Sequence, residues 1–334
     1  MATFAKSSFN AAVYSASRPT YPAKLFECIY NYHGRSKDTC WERAVDIGCG
    51  PGQATVLLRD RFREVIGIDP SEPMIQKARA NFKAHGSSSE HNGVLRFIQG
   101  SAESLNETLE DDSVDLLIAA QAAHWFDWSK VWPETRRVLR KNGTAAFWIY
   151  SELRFPEHPS LTPLITDYAQ GDNPQTSLGP HFQRPGRTIL ERHLVDVPNP
   201  VDVGEKGLGE VERIYFSGDY HPSLPSSQTR PVILKKQMRW RDLLGYLRTW
   251  SSLHTYHELY PEDKNKLDER FPEDLRTSNT QVDREDIDVR GGDIAIRFWK
   301  DLREKAQEDG ARVGVEDTVN VEWPVALILA RRIQ

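Results

Sequence analysis

A chain of 334 residues with a formal charge of -5 is long enough to bury one large core, or one core with a smaller subdomain. Its near-balance of acidic and basic residues gives no global pull toward nucleic acid, and no apolar run reaches membrane-spanning length. Three cysteines, Cys28, Cys40 and Cys49, are too few and of the wrong parity for a disulfide framework. They fit a reducing compartment, and with no secretory pattern at the N-terminus the expected location is cytoplasmic.

Residues 22 to 33 put Leu25, Phe26, Ile29 and Tyr30 at helical spacing, with Pro22 acceptable in the first turn. A strand over 43–47 carries Asp46, and the chain then turns through Gly48, Gly50 and Gly52 at alternate positions. A helix is expected from Gln53 to about Arg61. A second strand over 64–68 ends in Asp69, and Pro70-Ser71-Glu72-Pro73 opens a helix with Met74, Ile75 and Ala78 on one face. Residues 85–93 read as a polar surface loop. Strands follow over 94–98 and 114–119, then a helix over 129–140 capped by Lys141-Asn142-Gly143, then a strand over 144–150.

Beyond 150 the rhythm breaks. Prolines and glycines dominate 151–230, with one helix expected at 159–170. A strand is expected over 231–238 and a helix over 240–260. The charged stretch 262–315 reads as solvated helices and loops. The last apolar run, 321–330, reads as a buried strand that returns to the main sheet, with Pro324 tolerable at an edge. Strands alternating with helices imply an α/β fold with a doubly wound, mostly parallel sheet. The expected division is a core over 1–150, an acceptor-binding lid over 151–320 and a core strand over 321–334.

The glycine turn is the most informative feature. Positions without side chains let the backbone approach a ligand and accept unusual dihedrals. An acid ending the next strand, some 20 residues on, suits the ribose hydroxyls of an adenosine-bearing cofactor. The spacing is Gly-x-Gly-x-Gly rather than the dinucleotide Gly-x-Gly-x-x-Gly, and the Gly-Lys-Ser/Thr of a nucleotide hydrolase is absent. The run Val45-Asp46-Ile47-Gly48-Cys49-Gly50-Pro51-Gly52 resembles the first motif of class I S-adenosylmethionine-dependent methyltransferases. That resemblance implies a seven-stranded Rossmann-like sheet and S-adenosyl-L-methionine as cofactor. It sets the turn, with Asp46, Cys49 and Gly52, against the methionine part and Asp69 against the ribose.

Three further stretches narrow the resemblance: Phe9 to Pro22, Ala123-His124-Trp125-Phe126-Asp127, and Leu178 to Arg187. Together they look like the fungal trans-aconitate methyltransferase group, which methylates a carboxylate of a small polycarboxylic acid. The resemblance implies that Tyr14 and Arg18 cover the cofactor and meet its methionyl carboxylate. It places Ser101, Ala102 and Glu103, with Met74, near the adenine, and Ala120 and Gln121 at the sulfur end.

An acceptor carboxylate is already ionised at neutral pH, so it needs cationic clamps rather than a base. Arg154, Arg184 and Arg187 are the candidate clamps, able to grip a carboxylate in bidentate fashion, with Arg187 foremost. His124 is placed to hydrogen-bond the acceptor, or to act as base for an enol or phenol. Trp125, Trp148, Tyr150, His181, Trp250 and Tyr256 are candidates for the acceptor wall. The histidines and cysteines lack metal-ligand spacing, so no metal is expected. The expected partner is a small-molecule acceptor, without nucleic acid or membrane, for a monomer or weak homodimer. Two alternatives stand beside the carboxyl reading. One is O-, S- or N-methylation of a secondary metabolite, and the other is a non-catalytic cofactor-binding protein.

Overall fold

A computed structural model describes residues 18–84, 93–275 and 288–334. The first helix, α1 (Ala23–His33), buries Leu25, Phe26 and Ile29 as its spacing requires. There follow β1 (Arg43–Ile47), β2 (Glu64–Asp69), α2 (Glu72–Ala84), β3 (Val94–Gln99), β4 (Val114–Ala120), α3 (Trp128–Val138) and β5 (Leu139–Tyr150). The main sheet has eight strands rather than seven, in the order β3-β2-β1-β4-β5-β10-β6-β7. Strands β3 to β5 run parallel, while β10 (Val325–Arg332) lies antiparallel between β5 and β6 (Leu208–Phe216). The eighth strand is the two-residue β7 (Thr229–Arg230) beside β6.

Every residue of β10 is buried, as are the first six of β4. Strands covered on both faces read as continuous apolar runs, which is why they stand out in the sequence. Alternate residues feed two cores: Ala146, Trp148 and Tyr150 one, and Ala145, Phe147 and Ile149 the other. The direction of sheet growth reverses between β1 and β4. In open α/β sheets such a switch point, outside the carboxyl ends of the strands, is where ligands bind.

Several expectations need correction. The stretch after the glycine turn forms a short 3-10 helix, Thr55–Asp60, instead of an α-helix. Lys141-Asn142-Gly143 is no cap: α3 stops at Val138 and the chain passes straight into β5. The extra residues form a bulge, with Val114 opposite Leu139 but Leu116 opposite Thr144. The expected helix over 240–260 is two helices, α6 (Trp240–Leu247) and α7 (Ser251–Leu259). At their junction the Thr249 hydroxyl donates to the Tyr246 carbonyl at 2.6 Å, closing the last turn of α6.

Pro324 is not an edge residue. It stands where the chain leaves β9 (Thr318–Trp323), paired with β8 (Leu234–Arg239) in a separate two-stranded sheet, and enters β10. A proline donates no ladder hydrogen bond, so it breaks the long apolar run into two strands of two sheets. The charged stretch over 262–315 is also not merely solvated. It contains α8 (Ile294–Glu308), which buries Ile294, Ile296, Phe298, Trp299, Leu302 and Ala306. Its Trp299 donates from Nε1 to the Trp240 carbonyl at 2.7 Å, tying α8 to α6. Buried Arg303 holds Asp274 from Nη2 at 3.0 Å. With α4 (Thr162–Gln170) and α5 (Gly186–Glu191), these elements form a cap over the carboxyl edge of the sheet.

Candidate active site

A cavity of about 410 Å³ opens at the switch point, floored by the strand ends and roofed by the cap. Its floor includes Gly48, Cys49 and Gly50 after β1, Asp69 after β2, and Ala120 and Gln121 at the end of β4. Met74 joins them from α2, Tyr150 ends β5, and Trp250 comes from the cap.

The turn is built for a close approach. Gly48, Gly50 and Gly52 have φ of 71°, 54° and 87°, a region that side chains rarely adopt. A Cβ on Gly48 would lie 2.4 Å from the Cβ of Ala122, and one on Gly52 would meet the Phe97 ring at 2.9 Å. Those two glycines let the turn pack on its own fold, and Gly52 does not line the cavity. A Cβ on Gly50 would meet nothing within 4 Å. Here the bare backbone faces open cavity, leaving a cradle for a ligand.

Asp69 is fixed by that same turn. Its Oδ2 accepts from the Gly50 N–H at 2.9 Å, and its Oδ1 from the Ser71 N–H at 2.8 Å. A carboxylate oxygen has two lone pairs, so each keeps capacity for a further donor such as a ribose hydroxyl. Burial raises the Asp69 pKa, and the two backbone donors oppose the rise. This donor set and cradle fit the adenosyl cofactor that the motif implies.

Asp46 lies behind the turn, fully buried and off the cavity wall. Its Oδ2 accepts from the Thr55 hydroxyl at 2.6 Å, and its Oδ1 has no hydrogen-bond partner among the described residues. Burial pushes its pKa up to about 7; the Thr55 bond opposes this and nearby Asp69 adds to it. Ser101, Ala102 and Glu103 also miss the cavity wall. Ala102 is core, Ser101 donates to the Glu103 carboxylate, and Glu103 accepts from the Asp127 N–H at 3.2 Å. Tyr14 lies outside the described residues.

Arg18 reaches the cavity beneath the cap. Its Nη1 donates to the Tyr150 hydroxyl at 3.0 Å and its Nη2 to the Thr249 carbonyl at 3.2 Å, with Tyr246 under the guanidinium. The break between α6 and α7 supplies that carbonyl. Gln121 has φ of 59° and spends its amide on β5, donating to the Tyr150 carbonyl at 3.0 Å and accepting from its N–H at 2.7 Å. Such strain persists only where the surroundings enforce it, as at a switch point.

At the far end stand His124, Trp125, Glu152, Phe182 and Arg187. His124 is buried, and its Nδ1 has no hydrogen-bond partner among the described residues. Burial, joined by the guanidiniums of Arg187 and Arg18, lowers its pKa to about 3, so the imidazole is neutral at pH 7. Arg187 is not the free two-pronged clamp that the sequence suggests. Its Nη2 donates to Glu152, its Nε to Glu191 at 2.8 Å, and its guanidinium lies over the Phe182 ring. Its Nη1 makes no hydrogen bond to a described residue. Burial opposes the charge on Glu152, but Arg187 and Arg154 overcome it and hold the acid ionised, with a pKa of about 2.

Five other candidates miss the cavity. Trp148 sits one pleat behind Tyr150 on the same face, packed edge-on against Tyr21 and Phe26. Arg154 is buried behind Glu152 and donates to the Leu153 carbonyl at 2.9 Å. His181 binds the Pro174 carbonyl at 2.8 Å and packs edge-on against Tyr256, which also stays in the cap core. Arg184 is exposed and pairs with Glu191 at 3.2 Å. Conversely, Glu152, Phe182, Tyr246 and Ser71 line the cavity but were not foreseen. Only the Ser71 position, two residues past the strand-end acid, carried a local signal.

A doubly wound sheet with a glycine cradle and a strand-end acid at its switch point defines the class I methyltransferase architecture. A family model described as a methyltransferase domain matches residues 45–147. The uncharacterized methyltransferase Rv3342 of Mycobacterium tuberculosis is 33% identical over 238 residues, 66% of this chain and 89% of that one. The probable S-adenosylmethionine-dependent methyltransferase CRG1 of Saccharomyces cerevisiae is 27% identical, over 75% of this chain and 81% of that one. A solved structure from Anaeromyxobacter dehalogenans, assigned as a type II methyltransferase, shares the fold with a TM-score of 0.58. It is 24% identical, with 95% of this chain and 98% of that one covered.

The chain belongs to the class I S-adenosylmethionine-dependent methyltransferases. It is therefore an enzyme with S-adenosylmethionine as methyl donor, and the non-catalytic alternative is set aside. Among the described residues no helix is long and apolar enough to cross a membrane.

Proposed function

We propose that this methyltransferase esterifies a carboxylate of a small organic acid, trans-aconitate-like in carrying more than one carboxyl group. In this reading Gly48 and Gly50 lie against the methionyl part of the cofactor, Asp69 takes the ribose hydroxyls, and Arg18 takes the methionyl carboxylate. Met74 flanks the adenine. When bound, S-adenosylmethionine supplies a methyl group already activated on sulfur, and the protein supplies alignment and field. Good alignment alone is worth about 7–11 kcal/mol in such reactions. The segment 151–320, apart from the strands it lends the main sheet, acts as the acceptor-binding lid.

The observation that carries this reading is the state of His124. With a pKa of about 3 it cannot take a proton efficiently at pH 7, and Glu152 at about 2 is no better. An acceptor that is nucleophilic without a base fits such a cavity, and a carboxylate near pKa 4 is one. The guanidiniums that depress His124 also make its surroundings favourable to an anion. Arg187, steadied by Glu152 and Glu191, offers Nη1 to the acceptor as a single prong.

A second reading, methylation of a neutral hydroxyl, thiol or nitrogen, draws on the same ion pairs. They offset the Arg187 charge, and Trp125, Phe182 and Trp250 offer an aromatic wall. Labelled S-adenosylmethionine with panels of polycarboxylates and neutral acceptors separates the two. Base-labile methyl ester supports the carboxyl reading; base-stable product from the neutral panel alone overturns it.

A further inference from the structure

Glu152 is an ionised acid in the wall of a cavity expected to receive another acid. It is only 3% exposed, and one of its oxygens is tied to Arg187. The other, Oε2, has no hydrogen-bond partner among the described residues. The Gln170 side chain helps to keep the group ionised, yet its geometry leaves Oε2 without a hydrogen bond. A buried charged acceptor left in this way is costly unless a ligand meets it. At the same end of the cavity, His124 Nδ1 is equally without a partner among the described residues.

We infer that Glu152 is a specificity-determining residue of the acceptor subsite, reading a hydrogen-bond donor that the acceptor carries beside its carboxylates. The acceptor is then a hydroxy or amino polycarboxylic acid rather than a plain one. Its carboxylate meets Arg187 Nη1 and His124, and its hydroxyl or ammonium group meets Glu152 Oε2. A plain acid would leave that oxygen buried and bare, the situation in which binding sites discriminate most strongly. The inference rests on the carboxylate reading for the reacting group, but not for the Glu152 contact itself.

Three four-carbon diacids that differ at one position test it: succinate with hydrogen, malate with hydroxyl and aspartate with ammonium. Methyl transfer and binding to the enzyme loaded with S-adenosylhomocysteine are measured for wild type and Glu152→Gln. The expected result is at least tenfold tighter binding and lower KM for malate or aspartate than for succinate in wild type. Whichever of the two leads identifies the donor. In Glu152→Gln that preference collapses: malate and aspartate lose at least tenfold, succinate loses less, and cofactor affinity changes less than about twofold. Equal losses for all three acids would show that Glu152 only steadies Arg187, and would overturn the inference; so would binding of none, or equal binding of all by wild type. Glu152-dependent binding of malate or aspartate without ester formation would keep the subsite and overturn the carboxyl reading instead.

Discussion

Gly50 and Asp46 sit four residues apart in one motif and do opposite things. Gly50 gives the ligand room, whereas Asp46 supports the turn from behind. Replacing Gly50 with Ala adds a Cβ that meets no protein atom, at a φ that costs about 1–2 kcal/mol for a residue with a side chain. The expected outcome is a modest fall in Tm with at least a tenfold loss of S-adenosylhomocysteine affinity by calorimetry. Unchanged affinity would mean that the cofactor does not use this cradle. Gly48→Val is a poorer probe, because its Cβ collides with Ala122 and disturbs the fold itself.

For Asp46 the folded pKa, about 7, lies above the unfolded value of 3.8. The fold prefers the protonated acid, so this group's contribution is full below about pH 4 and is lost as pH rises through 7. Asp46→Asn removes the titration. Its stability relative to wild type should grow between about pH 4 and 7 and level off above, by at most about 4 kcal/mol. Denaturation curves at several pH values check this; a constant difference would show that Asp46 is ionised throughout.

At the scale of elements, β1, β2, β4 and the second half of β5 were legible for a physical reason. Strands buried on both faces must be apolar throughout, and the turns between them need glycine, proline or a strand-end acid. β6 was missed because it is half-buried. Its Glu210, Glu212 and Arg213 break the alternation, and Arg213 is spent on the Leu194 and Val197 carbonyls at 2.7 and 2.6 Å. The helix α8 was read as solvated because it carries as many charged residues as apolar ones, yet the apolar ones recur on one face. Trp299, fully buried there, anchors α8 to α6, which carries Tyr246 of the cavity roof. Trp299→Ala should cost about 3–5 kcal/mol in denaturant unfolding and weaken the acceptor site more than the cofactor site. A loss below about 1 kcal/mol would mean that the cap does not depend on this contact.

Across the whole molecule, the cavity wall was legible only in part: the glycine turn and Asp69 were readable as a unit, and His124, Trp125, Arg187 and Trp250 were named singly, but Glu152 and Tyr246 were not. Gly48, Gly50 and Asp69 come from one local motif. The rest of the wall assembles from residues far apart in the chain, such as His124, Glu152, Arg187 and Tyr246, whose meeting only the fold decides. Parity put Trp148 and Tyr150 on one face, but depth along the strand decided that only Tyr150 reaches the cavity. Nor could the sequence reveal that Arg187 is held by an acid 35 residues away.

The most direct test follows the methyl group itself. Wild type and Asp69→Ala are incubated with methyl-labelled S-adenosylmethionine and a panel of polycarboxylic acids, and the product is treated with mild base. The expected result is label released as methanol from an ester, with at least tenfold less formed by the Asp69 variant at limiting cofactor. Label retained in a base-stable product, or ester formed equally well without Asp69, would contradict the proposed carboxylate chemistry in the first case and the proposed cofactor site in the second.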